Sequence, residues 1–202
     1  MTFIIASIGR SGSTLVWDLI GQSTGRPQIF LKDFDQFALH QGKVIKTHDR
    51  FLSEPEFEYR AIFLHDEIVN VIASLFHRHL TDKNFQMNVH LVNLNIRYLH
   101  RQVFRYITQG GRHFHHLRAT LAFGYLIIGD KFLFKQNSAS WQGARQCLTV
   151  HYHDLISQKE RTLQAMSAHL GVPLKDFPVR ARESQTQRLP WIIRMLVQFN
   201  YK

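Results

Sequence analysis

The chain has 202 residues, 45% of them hydrophobic and 12% aromatic, enough to bury the core of one α/β domain and too apolar for a disordered chain. Its formal charge of +10, with 13 histidines besides, favours anionic ligands: nucleotide phosphates, sulfated sugars, nucleic acid or anionic lipid. The lone cysteine, Cys147, excludes an internal disulfide and fits a reducing compartment, and no apolar run reaches the ~18 residues of a membrane span.

Met1-Thr2-Phe3-Ile4 lacks the basic region of a signal peptide, so the expectation is a cytoplasmic protein. Thr2 to Ile8 is a β-branched, apolar run, the pattern of a strand buried on both faces. Gly9 to Thr14 then brings two glycines, three hydroxyls and Arg10, after which Leu15, Val16, Leu19 and Ile20 recur at helical spacing to about Gly21. A strand that passes through a glycine- and hydroxyl-rich turn into a helix is a phosphate cradle. The first helical N–H groups lack intrahelical partners and carry the positive end of the dipole. Gly12 permits close approach of the backbone, Arg10 offers a charged fork, and Ser11, Ser13 and Thr14 add hydroxyl donors. The ATP-binding P-loop requires a lysine after its second glycine, and here Ser13 follows Gly12.

Thr24-Gly25-Arg26-Pro27 punctuates the chain, and Ile29 to Leu39 suggests a short helix followed by loop. Val44 and Ile45 make a second strand, with Lys46 and His48 at or just past its end. Ligands of open parallel sheets gather at the carboxyl ends of strands, so both residues fall near the Arg10 loop if the two strands are neighbours. A third strand ends at Leu64 and leads through His65-Asp66-Glu67 into a helix from Ile68 to Leu80 that carries Ser74.

Asn84 to Ile107 is one long amphipathic stretch with Arg97, Arg101 and Arg105 on its basic face. Gly110 to His116 is histidine-rich but lacks the ligand spacing of a zinc site, so a loop is expected there and no metal. Thr120 to Phe134 is a further apolar helix broken near Gly129-Asp130, followed by polar residues up to Trp141. Gln146 to Tyr152 is another parallel strand, and Lys159 to Leu170 a helix closed by Gly171. Trp191 to Leu196 starts an amphipathic helix expected to dock on the core, with a membrane-surface role as the alternative. The cations are scattered and no zinc-finger or RNP-type motif occurs, which argues against nucleic acid.

Gly9-Arg10-Ser11-Gly12-Ser13-Thr14 resembles the 5′-phosphosulfate loop of the sulfotransferases, enzymes that use 3′-phosphoadenosine 5′-phosphosulfate (PAPS) and have a P-loop-like fold. Lys46-Thr47-His48 is similar to the Lys-Thr-His of the cytosolic members. Tyr152-His153-Asp154-Leu155 and Leu170-Gly171-Val172 resemble, in the right order, a later strand end and helix end of that family. The resemblance implies a three-layer α/β/α fold with a central parallel sheet. It implies one domain, 1–202, with a helical acceptor-side insertion at about 83–141.

It further implies sulfuryl transfer from PAPS, without metal, to a hydroxyl or amine of a small-molecule or carbohydrate acceptor, leaving 3′,5′-adenosine bisphosphate (PAP). In that reading His48 is the general base, and Lys46 and Arg10 neutralise the leaving phosphate. Arg10, Ser11, Gly12, Ser13 and Thr14 hold the phosphosulfate, Ser74 the 3′-phosphate, and Tyr152 lies near the adenine. Two positions depart from the family. Asp66 stands where an arginine of the 3′-phosphate site is expected, leaving His65, Arg78, Arg180 or Arg182 as cations, and no glycine follows Gly171 to form the usual lid. The alternatives are a non-catalytic nucleotide or polyanion binder of the same fold, or a P-loop phosphotransferase requiring Mg²⁺.

Overall fold

The first apolar run forms β1 (Thr2–Ser7), whose six residues are all buried. A strand this apolar on both sides belongs in the middle of a covered sheet, and the computed structural model, which describes residues 1–9, 12–110, 114–176, 178 and 185–201, places it there. The other strands are β2 (Gln28–Leu31), β3 (Val44–Thr47), β4 (Tyr59–His65) and β5 (Cys147–His151). Their order is β2-β3-β1-β4-β5, every neighbouring pair is parallel, and β1 pairs with both β3 and β4. This is the expected α/β/α class. Phe3, Ile5, Val44, Ile62 and Leu64 enter one core cluster, while Ile4, Ala6, Ile45, Ala61 and Phe63 on the opposite face are equally buried, so both faces are covered.

The chain divides into two compact units: Met1–Asp66 with Gln136–Arg182, and Glu67–Lys135 with Glu183–Lys202. The first holds the whole sheet. Its helices are α1 (Ser13–Thr24), α7 (Tyr152–Ser157) and α8 (Lys159–Leu170), with the part of α6 (Phe134–Gln142) from Gln136 onward. Val16 and Ile20 of α1, Leu155 of α7, and Met166 and Leu170 of α8 complete the core cluster. Gly171 ends α8 in the left-handed conformation, φ 69°, as its position after an apolar helix predicts.

The second unit is helical: α2 (Ile68–Thr81), α3 (Met87–Asn93), α4 (Tyr98–Thr108), α5 (His115–Ile127) and α9 (Trp191–Tyr201), with a 3₁₀ turn at Thr186–Arg188. Phe76, Phe104 and Phe123 meet edge-to-face in its core, at ring-centroid distances of 5.1 and 5.7 Å from Phe123. The C-terminal helix docks through buried Ile193 and Val197 and packs on α2 and α5.

Several boundaries differ from expectation. Residues 28–31 are an edge strand rather than part of a helix, and the 3₁₀ turn Phe34–His40 follows. The long stretch from Asn84 is two helices, α3 and α4, because Asn95 takes a left-handed φ of 57° between them. α5 begins within the histidine-rich tract, of which Gly111, Arg112 and His113 lie outside the described residues. The polar run before Trp141 is helical, and both carboxylate oxygens of Asp130 accept N–H groups of its first turn, from Phe134 at 2.9 Å and Lys135 at 3.0 Å.

Candidate functional site

The carboxyl edge of β1 is where strand order turns back on itself: the chain leaves β1 toward β2 and β3 on one side, and β4 and β5 lie on the other. Ligands of open parallel sheets bind at such switch points. The turn that leaves β1 reaches α1 through Gly9 (φ 85°) and Gly12 (φ 81°), both in the left-handed region. Gly12 is the N-cap of α1, with no side-chain cap and no acid in the first turn, so the N–H groups and the positive dipole end face outward without a competing carboxylate. Ser13 is buried and Thr14 exposed. Arg10 and Ser11 lie outside the described residues.

Gly12 is required from beneath. A Cβ there would lie 2.8 Å from Cε2 of Tyr152, whose ring belongs to the core cluster and is 9% exposed. Tyr152, expected beside an adenine, thus forms the floor of the loop and holds Gly12 at contact distance. Side chains at position 12 are barred both by φ and by this ring.

β3 lies directly beside β1, with Lys46 opposite Ile5 and Thr47 opposite Ala6. The neighbour relation that the sequence argument needed is therefore present. Lys46 Nζ donates to Thr14 Oγ1 at 2.5 Å and sits 5.7 Å from the Trp17 ring centroid. Trp17 Nε1 in turn donates to the Val44 carbonyl at 3.0 Å. One ammonium is thus held against the first turn of α1, where dipole and cation reinforce each other toward an anion.

His48 is 8% exposed. Its Nδ1 lies 3.1 Å from the Ser7 carbonyl oxygen and 2.9 Å from Ser7 Oγ, which also accepts the Gly9 N–H at 3.2 Å. A carbonyl oxygen only accepts, so Nδ1 carries the proton and the lone pair of the neutral ring is on Nε2. Burial and, next, the Lys46 ammonium lower its pKa to about 4, against the opposing pull of the Ser7 carbonyl. At neutral pH the imidazole is uncharged, oriented, and basic at Nε2. The Phe30 ring from β2 stands 5.6 Å away, centroid to centroid.

A further set of residues, not singled out in the sequence, holds the segment after β3. Asn137 Nδ2 donates to the His48 carbonyl at 2.6 Å, and Trp141 Nε1 donates to the Asp49 carbonyl at 2.8 Å. Ser140 Oγ accepts the Phe51 N–H at 3.0 Å. One face of α6 thus clamps the backbone at His48, Asp49 and Phe51. Asp49 locks the other side, its Oδ2 accepting the Phe34 N–H at 2.9 Å. The fully buried Trp141 completes the brace against Phe51 and Phe34, with centroids at 5.1 and 6.3 Å.

The structure thus brings together Gly12, Ser13, Thr14, Lys46, His48 and Tyr152. Ser74 is half-buried on α2 and belongs to the helical unit. Arg78, one of the cations considered for a second phosphate, forms an ion pair with Asp82 at 2.5 Å and stacks on Phe85. Arg180 and Arg182 lie outside the described residues. His65, at the end of β4, meets the His151 ring edge-to-face at 5.2 Å. Among the described residues, no group of three or more His, Cys, Asp or Glu could hold a metal ion, and no helix is long and apolar enough to cross a membrane.

Among solved structures, the chain is similar to mouse sulfotransferase SULT7A1 complexed with PAP, with a TM-score of 0.55 and 13% sequence identity over 96% of this chain and 63% of that one. At that identity the likeness is one of fold, and this chain has a sulfotransferase-like fold. It spans less than two thirds of that sulfotransferase's length. No protein-family model matches the chain, and no curated protein matches it in sequence.

Proposed function

We propose that this chain is a PAPS-dependent sulfotransferase with His48 as general base toward the hydroxyl or amine of a small-molecule or carbohydrate acceptor. The observation that carries the reading is the convergence of Thr14 with Lys46 and His48, from two separate stretches of sequence, at the carboxyl edge of β1 and β3. The fold likeness to a PAP-bound sulfotransferase supports it independently.

The residues present fit the donor's inner phosphate. An uncapped helix start free of acid, a glycine whose Cβ position is taken by Tyr152, one hydroxyl and one ammonium form a set of donors with no acceptor carboxylate among them. When bound, PAPS supplies the sulfuryl group, whose bond to the phosphate oxygen breaks as the acceptor's oxygen or nitrogen bonds to sulfur. His48 Nε2 takes the acceptor's proton, since Nδ1 is committed to Ser7. Lys46, with Arg10, neutralises charge on the departing phosphate oxygen. Gly12, Ser13 and Thr14, with Ser11, hold the phosphate through backbone N–H and hydroxyl groups, and Tyr152 supports them from below. Ser74 is assigned to the 3′-phosphate. Electrostatic work of this kind needs no divalent cation.

The test combines binding and turnover. PAP should raise the melting temperature in the absence of Mg²⁺, where ATP·Mg²⁺ and heparin do not. His48→Ala should keep that stabilisation while lowering turnover by about 10²–10⁴-fold. Stabilisation by ATP·Mg²⁺ alone would instead identify a phosphotransferase, and salt-sensitive heparin binding alone a polyanion binder.

A further inference from the structure

The helical unit carries a surface that the nucleotide chemistry does not use. Apart from Met1, Leu39 and Leu52, every exposed large hydrophobic side chain among the described residues belongs to this unit. Tyr98, Leu99 and Tyr106 lie on α4, but the longest run is on α9, and α5, which packs on α9, adds to it. On α9, Trp191, Ile192, Met195 and Phe199 are exposed, with Trp191 at 69% and Phe199 at 81%. Their spacing puts them on one stripe, opposite the buried Ile193 and Val197. On α5, Leu117 and Leu121 are exposed one turn apart.

The two stripes border one seam. Gly124 of α5 lies against Ile193 and Leu196, its Cβ position 3.3 Å from Leu196 Cδ1, and the Gly129 N–H donates to Asn200 Oδ1 at 3.1 Å. Advancing along α5 therefore advances along α9, and the helices run side by side in the same sense. Leu121 comes one turn before that contact on α5, as Ile192 does on α9. Isolated exposed apolar residues need no explanation, but a ridge of them on paired helices marks an interaction surface.

Charge says what it meets. From Lys83 to Gly129, and again from Gln185 to Lys202, there is not one Asp or Glu. Arg194 is exposed on α9 itself, and Arg188 is exposed in the 3₁₀ turn that precedes it. A second copy would bring two arginine-bearing, acid-free faces together with no counter-charge between them. Nucleic acid or a sulfated glycan would satisfy the arginines but leaves Ile192, Met195, Leu117 and Leu121 without a role. A surface that offers anionic groups above apolar chains satisfies both, and an interfacial helix with Trp and Phe on one side and Arg at its flank is built for it.

We propose that the α5–α9 face docks on the surface of an anionic lipid bilayer, with α9 lying in the interface and its Trp191–Phe199 stripe entering the headgroup region. The proposal is independent of the reaction at His48. Its test is sedimentation of the full chain with vesicles of phosphatidylcholine, with and without about 30% phosphatidylserine. The expected result is association with the anionic vesicles only, weakened by salt. Trp191 emission should move to the blue on binding and the shift should vanish in Trp191→Phe, since Trp141 is fully buried already and Trp17 is held against the sheet by its bond to the Val44 carbonyl.

The paired substitution Trp191→Ser with Phe199→Ser should lower vesicle affinity tenfold or more, and Arg194→Glu severalfold. These positions are exposed, so unchanged melting temperatures accompany the losses. Binding to heparin or DNA without vesicle binding, a dimer that sequesters Trp191, equal binding to neutral vesicles, or affinity unmoved by the paired substitution each overturns the proposal.

Discussion

His48 is an imidazole kept neutral by its surroundings, and that has two measurable consequences. Its folded pKa of about 4 lies below the ordinary value of 6.5, so the unfolded chain binds the extra proton in the window between them. Stability from this group is complete above about pH 6.5 and is lost as pH falls toward 4, by about 3 kcal/mol in all. His79, also lowered to about 4, chiefly by burial, acts in the same direction. The melting curve of His48→Gln against pH should therefore be flatter than that of the parent between pH 4 and 6.5, though not flat. The second consequence concerns rate. The base form is populated throughout the neutral range, so kcat/KM should fall on the acid side near pH 4 rather than 6.5. Because Lys46 helps to depress this pKa, Lys46→Gln should move the acid limb upward while lowering turnover by about 10²–10³-fold. A limb that stays put in that variant would separate Lys46 from His48.

At the scale of elements, the phosphate loop is a joint made of three pieces: β1, α1 and the start of α7. Gly12→Ala would place a methyl group 2.8 Å from the Tyr152 ring at a backbone φ of 81°, costing about 2–4 kcal/mol from strain and displaced packing. Combined with Tyr152→Leu, it should cost less than the two single substitutions together, by about 1–3 kcal/mol, because the double variant removes the clash. Additive costs from urea denaturation would show that the ring does not limit position 12. The clamp from α6 supports a second expectation. Asn137→Ala leaves the buried His48 carbonyl without its donor and should destabilise by about 1–3 kcal/mol. It should also shift the His48 ring resonances, which a remote packing defect would leave alone.

These elements were unequally legible in the sequence. β1, β3 and β4 announce themselves because both faces of a central strand are buried, β5 by its apolar and β-branched Leu148, Thr149 and Val150, and α1 and α8 by helical spacing, α8 ending on a glycine in the left-handed region. β2 hides because its apolar Ile29, Phe30 and Leu31 are followed closely by Phe34, Phe37 and Leu39 of the next 3₁₀ turn, and the whole reads as one short helical stretch. α6 hides for the opposite reason: Asn137 and Ser140 look like loop composition, yet they turn inward to bond the backbone around His48. The division between α3 and α4 depends on the φ of Asn95, which the apolar pattern running across it does not reveal. Lys46 and His48 were readable as a pair, whereas the tautomer of His48 and the place of Tyr152 under Gly12 required coordinates.

On the scale of the whole molecule, the net charge of +10 makes self-repulsion a term in stability. The ion pairs Met1 with Glu58, Arg78 with Asp82 and Lys159 with Asp176 each have a partly exposed partner, where a pair contributes little, so with 25 cations against 15 acids screening relieves more repulsion than it costs in attraction. Raising NaCl from about 10 to 150 mM shortens the screening length from about 30 to 8 Å, and the melting temperature should rise. This nonspecific gain has to be separated from occupation of the α1 N-terminus, which is local. At a fixed 150 mM salt, where the general repulsion is already damped, PAP should still raise the melting temperature, and Lys46→Gln should diminish that increment while leaving the NaCl response intact. If the increment from PAP disappears with screening, the anion is being held by the molecule's overall field and not by the turn between β1 and α1.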